Sequence, residues 1–377
     1  MISIVAKYVV EENCSFDVKG GINMNPRIKC LRNQLNSLNI EGMIVSNPIN
    51  IKYLTGIDAE GELLITRKEN IFLTDTRYVE AINSLLTIDS EIIVWDKKGM
   101  IREDYENYFL FCEKVGFEES YVTYEKYKQI LQLYKIHQLV ETEGIIEKQR
   151  RIKDEEEVEC IKKACQITDN CFTFLKNYIK RGMTEREIAY AIEEFFLKNG
   201  AEGVAFSPIV ASGTNSSMPH AVVTDKKIED GDILLIDLGC KYKGYCSDMT
   251  RTIFIGNISE TIKSAYDLVL QIQEKAIEDM KDGVNIKNIT KAAEQELKIN
   301  RFELVHALGH GVGLDIHEIP VLTSKYDNYL KENMVIAVEP GIYIPKSFGI
   351  RIEDTVLITK NGCIKLTNSE KNYTIIP

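Results

Sequence analysis

Asp237 and Asp248, with ten residues between them in LIDLGCKYKGYCSDMTR (235–251), are acids set in or beside apolar, β-like runs. A Gly-containing turn separates the runs, so a hairpin can bring both carboxylates to one point. Burying an ionised carboxylate is costly unless it is paired or bound to a metal. Farther along lie His310 in HALGHGVGLDIHE, Glu339 in VEPG and Glu353 in GIRIED. Taken singly, Asp248 reads as a turn cap, His310 as a core histidine and Glu353 as a partner for Arg351. Together, four carboxylates and one imidazole form a hard ligand set. It suits Mn²⁺, Co²⁺, Fe²⁺ or Zn²⁺ at a catalytic site and argues against a Cys-rich structural zinc. Two bridging carboxylates hold two ions about 3.5–4 Å apart, the arrangement of hydrolases that generate hydroxide at neutral pH.

Three of the five histidines (His306, His310, His317) share one Gly-rich stretch, whose glycines let backbone run close to a ligand. His317-Glu318 does not begin a zincin motif, because HExxH needs His where this chain has Val321. Cys240 and Cys246 read as packing residues.

The elements that must position these groups follow from periodicity. From Pro26, Ile28, Leu31, Leu35 and Leu38 recur at helical spacing. Short β-like runs at 42–47, 61–66, 70–75 and 91–96 then alternate with helical stretches near 77–86, 101–111 and 124–135, predicting an α/β domain. A charged passage, KQRRIKDEEEVE, opens a long helix, and the domain boundary is expected near 145–150. Thr184 and Glu187 have capping-box spacing. At an offset of 101, Gly182 falls on Gly283, Thr184 on Asn285 and Ile188 on Ile289, so a helix-helix-strand half is expected twice. Strands are expected at 204–212, 232–239, 250–256, 334–340, 349–359 and 374–376, with the acids converging where the halves meet.

The chain has 377 residues, 44% of them hydrophobic, enough for two cores. A net charge of -11 without a basic cluster speaks against nucleic acid. Nine cysteines without CxxC spacing predict a reducing compartment. The apolar runs are too short to span a membrane and the N-terminus lacks signal-peptide character, so cytoplasmic residence is expected. Residues 1–23 read as a possible non-native upstream extension. Lys19–Met24 back-translates to AAA GGA GGA ATT AAT ATG, a ribosome-binding sequence ahead of a start codon. The other reading is an ordinary N-terminal strand and Gly-Gly turn.

Five ordered motifs, DLGCKYKGYCSDMTRT, MPHA, HALGHGVGLDIHE, VEPGIY and GIRIED, resemble the pita-bread metallopeptidases, the superfamily of methionine aminopeptidase, aminopeptidase P, prolidase and creatinase. The resemblance covers about residues 150–377, and the preceding residues resemble the creatinase/prolidase N-terminal domain. It implies a creatinase/prolidase-like α/β domain over 24–147. A pseudo-twofold α+β catalytic domain of pita-bread type would follow over 148–377. By motif, Asp237 and Asp248 would bind the first of two divalent metal ions, His310 and Glu339 the second, with Asp248 and Glu353 bridging. Mn²⁺ is the expected ion, with Co²⁺, Zn²⁺ or Fe²⁺ as alternatives. Glu339 would shuttle the proton, His220 or His317 would steady the oxyanion, and His306 matches a further active-site histidine. The additional domain and His306 point to the proline-specific branch. There a metal-bridging hydroxide attacks the bond before a proline at the second position of a peptide, as in Xaa-Pro aminopeptidases and dipeptidases. A homodimer is implied, with no nucleic-acid or membrane partner. The alternatives are a non-catalytic pita-bread binding or scaffold protein and an aminopeptidase of methionine-aminopeptidase type.

Overall fold

The computed structural model describes residues 25–86 and 92–377. The expectation for residues 1–23 lies outside them. The chain divides into two compact units between Gln149 and Arg150.

In the first unit, Asn25 caps the helix Pro26–Ser37 by accepting from Arg27 N, and Pro26 occupies the first turn, where its missing N–H costs nothing. Six strands form one sheet in the order Ile92–Asp96, Asn70–Thr74, Gly61–Thr66, Gly42–Val45, Lys114–Phe117, Gln138–Glu141. Three of the five pairings are parallel, and helices such as Thr76–Leu85 and Tyr124–Tyr134 connect parallel neighbours. The strands Lys114–Phe117 and Gln138–Glu141 both escaped the sequence reading, because four residues are too few for an alternation to stand out.

The second unit is built from two matched halves. In the first, helices Glu155–Tyr178 and Glu185–Lys198 pack on a four-stranded sheet ordered Ile375–Ile376, Met249–Ile255, Ile233–Leu238, Ile209–Ser212. In the second, helices Glu260–Glu278 and Ile286–Ile299 pack beside a five-stranded sheet ordered Glu318–Leu322, Gly309–Gly311, Val335–Val338, Asp354–Thr359, Gly362–Lys365. The inter-helix turns match in detail. Gly182 and Gly283 have φ of 90° and 78°, left-handed backbone that glycine adopts without a Cβ penalty. Each donates its N–H over 2.9 Å, Gly182 to Ile228 O and Gly283 to Leu330 O. Thr184 then bridges Lys227, as Asn285 bridges Tyr329. The expected capping box of Thr184 with Glu187 forms, and a second, not anticipated, joins Asp154 with Glu157.

Three expected segments differ. The turn between Asp237 and Asp248 is itself a small hairpin, Cys240–Tyr242 with Tyr245–Cys246, that pairs with Gly203–Val204 in a separate sheet. Gly239 allows this crossing, since a Cβ there would lie 2.0 Å from Ser247 O. The run 204–212 is accordingly two strands, Gly203–Val204 and Ile209–Ser212. The run 349–359 also divides, into Phe348–Arg351 and Asp354–Thr359 in different sheets. Glu353 falls in the break, where its N–H donates to Thr250 O of the other half over 3.1 Å.

Candidate metal centre

The antiparallel pair Ile233–Leu238 and Met249–Ile255 sets Asp237 opposite Thr250, and Asp248 immediately precedes the second strand. From the other half come His310 in the strand Gly309–Gly311, which pairs with Glu318–Leu322 on one side and Val335–Val338 on the other, Glu339 just after Val335–Val338, and Glu353 in the break described above. Asp248, His310 and Glu353 present ligand atoms that all lie within 4.8 Å of one another, and all three residues are buried. His310 Nε2 is 3.5 Å from Asp248 Oδ2 and 3.5 Å from Glu339 Oε1. Its Nδ1 lies 3.0 Å from Gly311 O; a carbonyl can only accept, so the proton sits on Nδ1 and Nε2 offers its lone pair to the cage.

Asp237 joins through Arg351, a residue the sequence reading had offered only as a partner for Glu353. Arg351 Nη2 donates instead to Asp237 Oδ2 over 2.5 Å, and Nε is 4.0 Å from Glu339 Oε2. Nε also donates to Thr250 Oγ1 over 3.0 Å, and that hydroxyl donates to Glu353 Oε2 over 2.7 Å. Asp237 Oδ1 is a buried oxygen without a hydrogen-bond partner. Four carboxylates thus surround one interior guanidinium, and mutual repulsion is visible in the acidities of Asp248, Glu353 and Glu339. Burial, then Glu353, Asp237 and Glu339, pushes Asp248 well above the carboxylate range. Burial, then Asp237 and Glu339, does the same to Glu353. Glu339 rises to about 7, chiefly through burial, with Arg351 pulling it down and Asp237 pushing it up. Buried acids that repel one another, an orphaned oxygen and an inward imidazole lone pair are the features a divalent cation would satisfy, so the residues present fit such ions.

The remaining histidines occupy different surroundings. His317 is exposed, with its ring 4.5 Å from that of His310. His220 is exposed on the loop after Gly213–Ser217, close enough to His306 to contribute to its lowered pKa. Both ring nitrogens of His306 are engaged: Nδ1 donates to Ala307 O over 2.8 Å, and Nε2 accepts from Tyr343 Oη over 3.0 Å. Arg351 Nη1 in turn donates to Tyr343 Oη over 2.8 Å. Burial holds His306 near 4, so it is neutral at ordinary pH. Arg351 and Tyr343 were missed by sequence reasoning. Their partners lie as far as 114 residues away in the chain, and the only signal was a basic residue inside the apolar run GIRIED.

This buried carboxylate–imidazole cage, set between two matched α+β halves, defines a metallohydrolase-type protein. The chain belongs to the metallopeptidase family M24, whose pattern it matches over residues 159–360; residues 27–152 match the creatinase/prolidase N-terminal domain. It is similar to a Xaa-Pro dipeptidase of Pyrococcus furiosus, with 36% identity over 355 residues covering 92% of this chain and 99% of that one. Among solved structures, it resembles a Xaa-Pro dipeptidase from Bacillus anthracis with a TM-score of 0.87 and 35% identity, covering 93% of this chain and 99% of that one. A X-Pro aminopeptidase from Thermotoga maritima gives a TM-score of 0.82 and 32% identity, covering 91% and 100%.

Proposed function

We propose that this metallopeptidase hydrolyses the bond between an N-terminal residue and a proline at the second position. The convergence of buried Asp248, His310 and Glu353 on one point carries the reading, in a chain whose two halves and N-terminal unit parallel those of Xaa-Pro peptidases. Asp237 and Asp248 would hold one divalent ion, His310 and Glu339 a second, with Asp248 and Glu353 shared. Bound there, the ions supply Lewis acidity and lower the pKa of water toward neutrality. Mn²⁺ is the ion we expect, with Co²⁺, Zn²⁺ or Fe²⁺ as substitutes in the same hard cage.

The protein's own groups do the rest. Glu339, whose side chain keeps 18% of its exposure, accepts the proton of the attacking water and passes it to the departing proline nitrogen. His317 and His220, both exposed, are available to donate to the developing oxyanion. His306 has no free nitrogen, so its part is to hold Tyr343, and through it Arg351, in place. Arg351 fixes the Asp237 carboxylate and counters part of the cage's negative charge.

The test is hydrolysis of Xaa-Pro and Xaa-Pro-Xaa peptides by chelated protein before and after Mn²⁺ is restored. Metal-dependent cleavage before proline is expected, and cleavage of other N-terminal residues at equal rate would refute the assignment. The two substrate lengths separate dipeptidase from aminopeptidase. We further propose a homodimer, to be checked by sedimentation. We also propose residence in the cytoplasm. Among the described residues, seven cysteines are free, which suits a reducing compartment, while Cys30 is disulfide-bonded. No described helix is long and apolar enough to cross a membrane.

A further inference from the structure

We propose that Glu185 is a positioning residue that holds the His220 loop in its working shape; this rests on the reading of His220 as a substrate-facing group. Glu185 lies in the first turn of the helix Glu185–Lys198 and is fully buried. Its neighbour Glu187 has an ordinary local task in the capping box with Thr184. The Glu185 carboxylate instead turns toward residues 212–224. Oε1 accepts from Ser212 N over 2.7 Å, Ser212 Oγ over 2.8 Å and Asn215 Nδ2 over 3.0 Å. Oε2 accepts from Thr224 N over 3.0 Å and Thr224 Oγ1 over 2.6 Å. One carboxylate therefore binds both ends of the loop and its middle. The helix N-terminus favours its charge.

What the staple holds is the segment that carries Met218, Pro219 and His220. The loop is tied forward to the metal centre at two further points. Gly349 N donates to Ser216 Oγ over 2.9 Å, and Pro219 O accepts from Arg351 Nη1 over 3.1 Å. His220 itself is exposed, with nothing in the described residues hydrogen-bonded to its ring among the contacts of the loop. Its place is thus set by the backbone on either side of it.

The second half of the unit serves as an internal control. Ile286 begins the helix there as Glu185 does here, and Glu185 N and Ile286 N donate to Lys226 O and Asn328 O respectively. Ile286 is buried in the apolar core. The same turn, glycine and helix start form with an aliphatic side chain at that position, so the helix pair does not require a carboxylate. The acid is needed only where a polar, histidine-bearing loop has to be held.

The chemistry of the staple makes it sensitive to an isosteric change. Ser212 N–H, Thr224 N–H and the Asn215 NH₂ group can only donate. A glutamine at 185 would direct its own NH₂ at a backbone N–H whichever way it is turned. Charge-assisted hydrogen bonds of this kind correspond to about ten- to hundredfold in a local equilibrium. Hydrogen exchange of the metal-loaded protein is therefore expected to show Ser212 and Thr224 amides exchanging about ten- to hundredfold faster in Glu185→Gln. Helix amides beyond the first turn should be unchanged. Thr224→Val, which removes one hydroxyl, should shift the same amides less, and Glu185→Asp should restore part of the protection. Unchanged protection at both amides overturns the proposal whatever the enzyme cleaves.

The kinetic arm uses Ala-Pro as substrate and a double-mutant cycle with His220→Ala. Glu185→Gln should lower kcat/KM at unchanged metal content, and adding it to His220→Ala should cause little further loss. Losses that multiply would show that Glu185 acts apart from His220 and overturn the coupling. If His220→Ala alone leaves Ala-Pro hydrolysis unaltered, the reading of His220 fails, and the exchange measurement still decides the staple.

Discussion

Replacing Glu339 by glutamine should make the metal-free protein more stable at alkaline pH while removing its activity. Glu339 shares its interior with three further acids, and burial raises its pKa from 4.5 to about 7. An acid whose folded pKa lies above its unfolded value opposes folding once ionised. The cost is absent below about pH 4.5, grows between pH 4.5 and 7, and is complete above. The shift corresponds to roughly 3 kcal/mol, and the side chain is only 18% exposed, so solvent screening removes little of it. Glutamine mimics the protonated acid at every pH. In urea unfolding of chelated samples, the stability difference between Glu339→Gln and the parent should therefore increase by about 3 kcal/mol from pH 4.5 to pH 8. Comparing the two proteins cancels His306 and His310. Burial lowers both to about 4, so the penalty they place on folding in acid fades as pH rises from 4 to 6.5, in the opposite sense. With Mn²⁺ restored the order should reverse, because the amide is a poorer ligand than the carboxylate. Turnover of Xaa-Pro peptides should fall by orders of magnitude. A stability difference that is flat with pH, or that shrinks as pH rises, would refute the picture of acids held in mutual repulsion until a cation arrives.

Other perturbations separate holding from chemistry. Glu318 lies between Arg150 Nη2 at 2.5 Å and Lys153 Nζ at 3.0 Å, all three side chains at most 5% exposed. Glu318→Gln removes the carboxylate that buried Arg150 and Lys153 share and should cost about 3–5 kcal/mol in urea unfolding at pH 7. Burial alone would raise the pKa of Glu318, but Lys153 and Arg150 pull it below the usual range. Its contribution is therefore present above pH 4.5 and lost as pH falls through the depressed value, so the deficit of the variant should narrow in acid. Tyr343→Phe removes the hydroxyl shared by Arg351 and His306. It should lower kcat/KM about ten- to hundredfold with metal content, measured by mass spectrometry, unchanged. Metal loss in that variant would instead assign Tyr343 to holding the cage.

The acids were legible because each interrupts an apolar run: an Asp inside LLIDLG or a Glu in VEPG stands out when its neighbours are all buried. The helix starts were legible for a similar reason, since capping and glycine turns are local interactions within three or four residues. Glu353 was placed in one long strand, whereas the chain changes sheets there. Nothing in the alternation of GIRIEDTVLIT marks the break, which is made by pairing with Thr250 about a hundred residues earlier. Glu185 was passed over because an acid in a first helical turn has a sufficient local explanation.

The sequence by itself determined which residue types could bind metal, the order in which they occur, and the repeated turn-and-helix units that carry them. These rest on short-range periodicity and on the cost of burying charge. Only the tertiary structure decided that Arg351 serves Asp237 and Tyr343, that His306 spends both nitrogens internally, and that Glu185 reaches the His220 loop. Each is a hydrogen bond between chemically ordinary side chains whose choice of partner depends on which strands and loops meet, and that is set by the packing of whole layers.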